Sequence, residues 1–111
     1  MPFTDASWSK PGGELSAEQY CSVCLIDDNP SGKKKVKDLC WLPIKSSPGA
    51  PFNKGAIRNA MGRIFQVKGA SAESKRSAAK RLIRLAREAG IDVTSVSLFR
   101  LAGVRAPSKR K

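Results

Sequence analysis

Three cysteines, a lysine run and one arginine-rich segment are the residues of this chain whose types and spacing could do chemistry. Cys21 and Cys24 stand two residues apart, and thiolates at that spacing can share a tetrahedral zinc ion whose other ligands come from a facing strand, where Cys40 would lie. The ligand count is against it. A structural site takes four ligands, the chain has no histidine, and the nearest remaining donors are Asp27, Asp28 and Asp38. On a regular strand the spacing also sends Cys21 and Cys24 to opposite faces. A disulfide-exchange role would need the first thiol at a helix N-terminus or beside a cation, whereas this pair sits inside an apolar run. Cys21, Cys24 and Cys40 are therefore expected to be buried, unreactive thiols. Metal ligation, a disulfide and a contact with a partner chain stay as weaker alternatives, and no cofactor is implied. An odd count of cysteines fits a reducing compartment better than a disulfide framework.

Charge is the second chemical feature. Lys and Arg number 21 against 9 acids, a formal charge of +12, so the surface field favours polyanions: DNA, RNA or an acidic protein face. Lys33, Lys34 and Lys35 follow Gly32 but lack the spaced glycines and the Gly-Lys-Ser/Thr of a phosphate loop. They read equally as a polyanion contact or as a charged edge strand that resists pairing. The segment 75–87 is more specific. Arg76, Lys80, Arg81, Arg84 and Arg87 share one side of a helix whose only nearby acids are Glu73 and Glu88. A merely solvated face usually mixes signs to gain ion pairs one turn apart, and the arginine fork pairs bidentately with phosphate or carboxylate. Lys54 and Arg58 in the preceding helix and Lys109, Arg110 and Lys111 at the C-terminus extend the candidate set. No Asn or Gln is set on this face to read bases, so nucleic-acid binding would be electrostatic and weakly selective.

The absence of histidine removes the commonest acid–base group near neutral pH. Spacing supports no paired carboxylates and no nucleophile with its base, so a non-enzymatic role is expected. The start Met1-Pro2-Phe3-Thr4-Asp5 has no basic-then-apolar leader pattern, and no apolar run approaches the roughly 18 residues that span a bilayer. The sequence thus reads as a protein that stays in the cell where it is made, with no membrane partner.

These groups must be positioned by a single domain, since 111 residues bury one modest core, and an aromatic fraction of 6% makes that core aliphatic and alanine-rich. The expected class is α+β: a small β-hairpin or sheet packed by two amphipathic helices, over residues 15–103. Residues 1–14 read as an irregular arm in which Phe3 and Trp8 are the docking residues, on a partner or on the chain itself. Ser16 with Glu18 and Gln19 predicts a short helical turn running into a strand over residues 20–26. The cluster Asp27-Asp28-Asn29-Pro30-Ser31-Gly32 predicts the hairpin turn, and the second strand carries Trp41 as a core residue and ends at Pro43. Asn53 caps a helix that buries Ala56, Ile57, Ala60, Met61, Ile64 and Phe65. Ser71 caps a second, ended by Gly90, that buries Ala78, Ala79, Leu82, Ile83, Leu85, Ala86 and Ala89. Residues 95–103 favour a capped helical turn over a strand, and residues 104–111 a mobile basic tail.

The run from Cys40 to Ile64 also carries a resemblance. Trp41-Leu42-Pro43-Ile44, a Ser-Pro-Gly turn and a basic helix rich in Ala and Arg, with residues 21–26 before them, look like a small domain found in tailed-phage genomes, fused to prohead proteases or encoded near head genes. The resemblance covers roughly residues 3–90. It implies a compact α+β unit and a structural role in the virion or in head assembly. Its expected partners are other virion or assembly proteins, with DNA or RNA through phosphate contacts as a further class, and self-association is open. The location implied is the host cytoplasm during assembly and then the virion. The likeness is to the accessory part and brings no protease core, and the chain departs by being shorter, free-standing and unusually basic.

Overall fold

The computed structural model describes residues 3–9, 13–30 and 32–104. The elements are β1 (Phe3–Thr4), α1 (Ala17–Ser22), β2 (Cys24–Asp27), β3 (Cys40–Pro43), β4 (Phe52–Asn53), α2 (Lys54–Arg63), α3 (Ala72–Glu88) and α4 (Val96–Ala102), with 3-10 turns at Lys37–Leu39 and Ile64–Gln66. The class is α+β as expected, with four helices among the described residues rather than two.

The longest helix is fixed at both ends, by its own caps and by one carboxylate from the hairpin. At the start of α3 the Ser74 N–H donates to Ser71 Oγ at 3.1 Å, and the Asp28 carboxylate accepts from the Ser71 N–H at 2.7 Å and from the Ser74 hydroxyl. A carboxylate there also suits the positive end of the helix dipole. At the other end Gly90 takes φ +80, its N–H donates to Arg87 O, and the Ile91 N–H donates to Ala86 O at 2.8 Å. That is the glycine closure in which a left-handed residue satisfies the last free carbonyls. Between these caps Ala78, Ala79, Leu82, Ile83, Leu85, Ala86 and Ala89 are all buried, as the periodicity requires. They share one core with Leu25 and Ile26 of β2, Ala56, Ile57 and Ala60 of α2, and Leu98, Phe99 and Ala102 of α4.

Residues 20–26 divide differently from expectation. Ser16 and Gln19 form a reciprocal capping box, with Gln19 N–H donating to Ser16 Oγ at 3.2 Å and Ser16 N–H to Gln19 Oε1 at 2.9 Å. The helix so nucleated carries Tyr20, Cys21 and Ser22, and the strand begins only at Cys24. Strand β2 pairs antiparallel with β3, matching Cys24 with Pro43, Ile26 with Trp41 and Asp27 with Cys40. The hairpin is therefore present, but its second strand starts at Cys40, so Lys33, Lys34 and Lys35 lie in the connection and not on an edge strand. Asn29 shapes that connection: its Oδ1 accepts from the Val36 N–H at 2.8 Å, and its Nδ2 donates to Asp27 Oδ1 at 2.8 Å. Leu42 adopts φ +65, a left-handed conformation uncommon for a branched side chain.

The arm is more ordered than its composition suggests. Phe3–Thr4 pairs in parallel with Phe52–Asn53, and the Phe3 and Phe52 ring centroids stand 5.7 Å apart. Asn53 couples this pairing to α2: buried, it accepts from the Ala56 N–H at 3.0 Å as N-cap and donates from Nδ2 to Ala6 O at 2.8 Å. Glycine at position 55 eases this packing: a Cβ there would stand 3.0 Å from Asn53 Oδ1 and 3.4 Å from Trp8 Cβ, close enough that a neighbour would have to yield by a few tenths of an ångström. A two-residue parallel pairing carries no periodicity, which is why an irregular arm was expected. Of the residues expected to be buried along this helix, Met61 is only half-buried, and Phe65, just past α2 where the chain tightens into the Ile64–Gln66 turn, swings out to 45% exposure. Residues 105–111, including Lys109, Arg110 and Lys111, lie outside the described residues, as do Lys10, Pro11, Gly12 and Ser31.

Replacing Asn53 by Ala removes a cap worth about 1 kcal/mol and the bond that ties the arm to the helix. Urea unfolding should show a loss of about 1–2 kcal/mol, with faster amide exchange at Thr4 and Phe52. An unchanged midpoint would contradict the role given to this side chain.

Candidate functional site

Two surfaces gather charged or aromatic side chains. The first is the outer side of α3. At 100° per residue Arg76, Lys80, Arg84 and Arg87 fall within an arc of about 80°, and all four are exposed. Arg81 stands further round the helix and is half-buried. Among the described residues no carboxylate oxygen comes within 4.0 Å of any of the five. The stripe runs beside α4, since Arg87 Cζ lies 5.5 Å from the centroid of buried Phe99, and a Cβ on Gly103 would meet Arg76 Nε at 3.4 Å. The ends of the stripe therefore rest on α4, which limits their freedom before any ligand arrives, while Lys80 and Arg84 stand between them.

The other candidate cations are not part of this stripe. Lys33 and Lys34 are exposed in the hairpin connection, whereas Lys35 is turned inward to an ion pair with Asp27. Lys54 stands 3.7 Å from Asp5, and Arg58 is exposed on α2. Phe3 and Trp8, read as partner-docking residues, are half-buried against the chain's own core. The parallel pairing and the Asn53 bond bring them there, so neither is a free-standing anchor.

The cysteines also require correction. Cys21 and Cys40 are joined in a disulfide, with their Cα atoms 5.4 Å apart, and Cys24 is a buried thiol. Three thiols resolve into one bridge and one core residue, because α1 carries Cys21 to the start of β3; parity of the count could not show this. A bridged pair lacks the thiolate charge that zinc binding uses, although Sγ of Cys21 and Cys40 and a carboxylate oxygen of Asp27 all lie within 4.8 Å of one another. The Asn29 amide fills the space between them, donating to Cys40 Sγ at 3.3 Å, Cys21 Sγ at 3.5 Å and Val36 O at 3.2 Å. Partial burial works to raise the Asp27 carboxyl. Hydrogen bonds from Lys35 and Asn29, with the Lys35 charge, outweigh it and hold the carboxyl below its ordinary value.

The second surface is a groove of about 1040 Å³ between the hairpin, α1 and α2. Sequence reasoning missed it, because its parts come from positions 8 to 68 and share no period. Its floor is Ala56, Ala60 and Val67, all buried, and Trp8, Tyr20 and Trp41 stand along its walls. Gly69, at φ +94, presents bare backbone to the Trp41 indole, where a Cβ would lie 3.5 Å from Cζ2. Lys37 stands over Tyr20, 5.8 Å from the ring centroid, and Arg63 Nε donates to Asn59 Oδ1 at 3.4 Å. Burial, reinforced by the adjacent Cys24, pushes the Tyr20 phenol up to about 12.

No protein-family model, curated protein or solved structure matches the chain. Among the described residues no helix is long and apolar enough to cross a membrane.

Two measurements check this geometry. The bridge closes a loop of sequence separation 19, for which chain entropy gives about 3 kcal/mol; a thiol reductant should lower the urea midpoint accordingly, and Cys40→Ser should behave the same with or without reductant. Tyr20 is the only tyrosine, so its phenolate absorbance reports one group. It should titrate near 12. Because the folded value is raised, this contribution to stability is complete below the ordinary tyrosine range and is lost as pH rises through the folded value. A midpoint at the ordinary value would place the phenol in water.

Proposed function

We propose that this protein is a non-enzymatic binding component of tailed-phage head assembly, whose α3 stripe holds packaged nucleic acid or the acidic flank of a neighbouring virion protein. The observation that carries the binding chemistry is the stripe itself: Arg76, Lys80, Arg84 and Arg87 on one face, with no internal carboxylate partner among the described residues. Four unneutralised cations on a rigid helix repel one another, and a polyanion relieves that repulsion while releasing its own counterions. The assembly setting is supported by the likeness of residues 21–26, Leu42-Pro43-Ile44 and residues 53–64 to the phage domain. The chemistry of the stripe is electrostatic and reads no base edges, so selectivity among sequences is expected to be weak.

The same stripe would serve a small nucleic-acid-binding protein outside the particle, and salt separates the possibilities. Duplex DNA titrated at several salt concentrations should bind with an affinity that falls steeply with salt. The variant R76E/K80E/R84E/R87E should flatten the slope of log affinity against log salt by about 3 to 4. Binding that survives charge reversal would overturn the assignment of the stripe. Absence of DNA binding, together with presence of the chain in purified particles by mass spectrometry, would assign the stripe to a protein neighbour. Abundance in the host cytosol with absence from particles would remove the virion setting.

A further inference from the structure

We propose that the aromatic groove between the hairpin and α2 is a binding site for single-stranded nucleic acid, distinct from the α3 stripe and independent of its assignment. Both tryptophans of the chain, Trp8 and Trp41, line this one groove although they are far apart in sequence. Both are half-buried: each packs on the core and leaves part of its indole to solvent. The aliphatic floor residues Ala56, Ala60 and Val67 are buried, and the half-buried apolar side chains along the groove are the two indoles with Leu42 and Pro43. Flat aromatic faces accept any base by stacking, without hydrogen-bond readout.

The rim supplies the complementary charge. Among the described residues Arg63, Lys68 and Lys37, the last engaged over the Tyr20 ring, line the groove with a single carboxylate, Asp38, a balance that favours an anionic occupant. Asn59 accepts from Arg63 Nε and so steadies the guanidinium at the rim. Two indoles beside three cations suit a chain that carries a phosphate and a planar base at every step; an acidic peptide anchored by aliphatic side chains would need a deeper aliphatic pocket. A duplex keeps its bases stacked inward and cannot use the indoles, so the groove should prefer single strands. The strained Leu42 at φ +65 lies in the same wall and sets the course of β3 immediately after Trp41.

Because the chain's only tryptophans are both at the site, their fluorescence reports occupancy directly. An oligothymidylate, a DNA duplex and a polyglutamate peptide of matched charge are each titrated into the full chain at low and moderate salt. The oligothymidylate should quench the indole emission saturably and the duplex should not. The variant R63E/K68E alters two exposed side chains, and its fold is checked by circular dichroism. It should weaken the oligothymidylate at least about tenfold, since each lost phosphate contact also removes counterion release. R76E/K80E/R84E/R87E should leave the quenching intact while weakening duplex binding and flattening its salt dependence, so the two assignments fail separately. No quenching by oligothymidylate, or quenching unaltered in R63E/K68E, would overturn the proposal. Stronger quenching by polyglutamate would overturn it in favour of an acidic protein segment.

Discussion

The larger of the two buried clusters among the described residues depends on covering the aliphatic face of α3; the smaller gathers Leu15, Tyr20, Cys21, Val23, Cys24 and Cys40 around the disulfide. The buried residues of α3 span the helix from Ala78 to Ala89, and Leu82 has no exposed surface at all. Each Leu or Ile withdrawn from water contributes about 1.5–3 kcal/mol, and a helix offering several of them must be walled from more than one direction. The three walls are α2, β2 and α4, which meet in one core. Because the helix period is fixed, covering one side determines what the other presents. The arginines point outward together as a geometric consequence of where the alanines and leucines point inward.

The covering elements are held to α3 by polar atoms at their ends. Asp28, the first residue after β2, caps α3 from outside the helix, so the hairpin and the longest helix share one anchor. Asp27 and Asn29 on either side of it hold Lys35, Val36 and the bridged sulfurs. Three consecutive residues, which in sequence read as part of a turn and, for the two aspartates, as weak metal donors, thus fix the hairpin connection, the helix start and the surroundings of the disulfide. Asn53 does the same at the other end of the sheet system, joining the arm, β4 and α2.

How much of this was legible follows from what each feature depends on. The helices at residues 53–64 and 71–89 were plain, because periodicity and caps are local and the structure leaves both intact. At residues 95–103 the sequence left helix and strand open with helix favoured, and the structure has the helix, which Ser95 starts and Gly103 ends at φ +73. The strand expected over residues 20–26 was shortened by the capping box at Ser16, a local rule that prevailed over strand propensity. The Cys21–Cys40 bridge, the Phe3–Phe52 pairing and the groove were not legible, since each joins residues that only the packed core brings together. Phe65 was misplaced for a different reason: the 3-10 turn breaks the 100° step on which the prediction rested.

The two candidate surfaces differ in how the fold made them. The α3 stripe is a by-product of helical period and would exist on this helix in any packing that buries the same face. The groove instead depends on tertiary placement: the arm passes beside Gly55 and β3 carries a left-handed residue at Leu42, next to Trp41, so two indoles that the chain separates widely line one site. Its cost is visible in backbone conformation: Leu42 and Gly69 both occupy the left-handed region, and Leu42 does so with a side chain that disfavours it. Such strain persists only where surrounding contacts outweigh it. Here those contacts are the β2 pairing on one side of Leu42 and the packing of Trp41 on the other. A domain needing only to bury its core could place leucine in an ordinary extended conformation. The departure next to Trp41 is what makes the groove the more informative of the two surfaces.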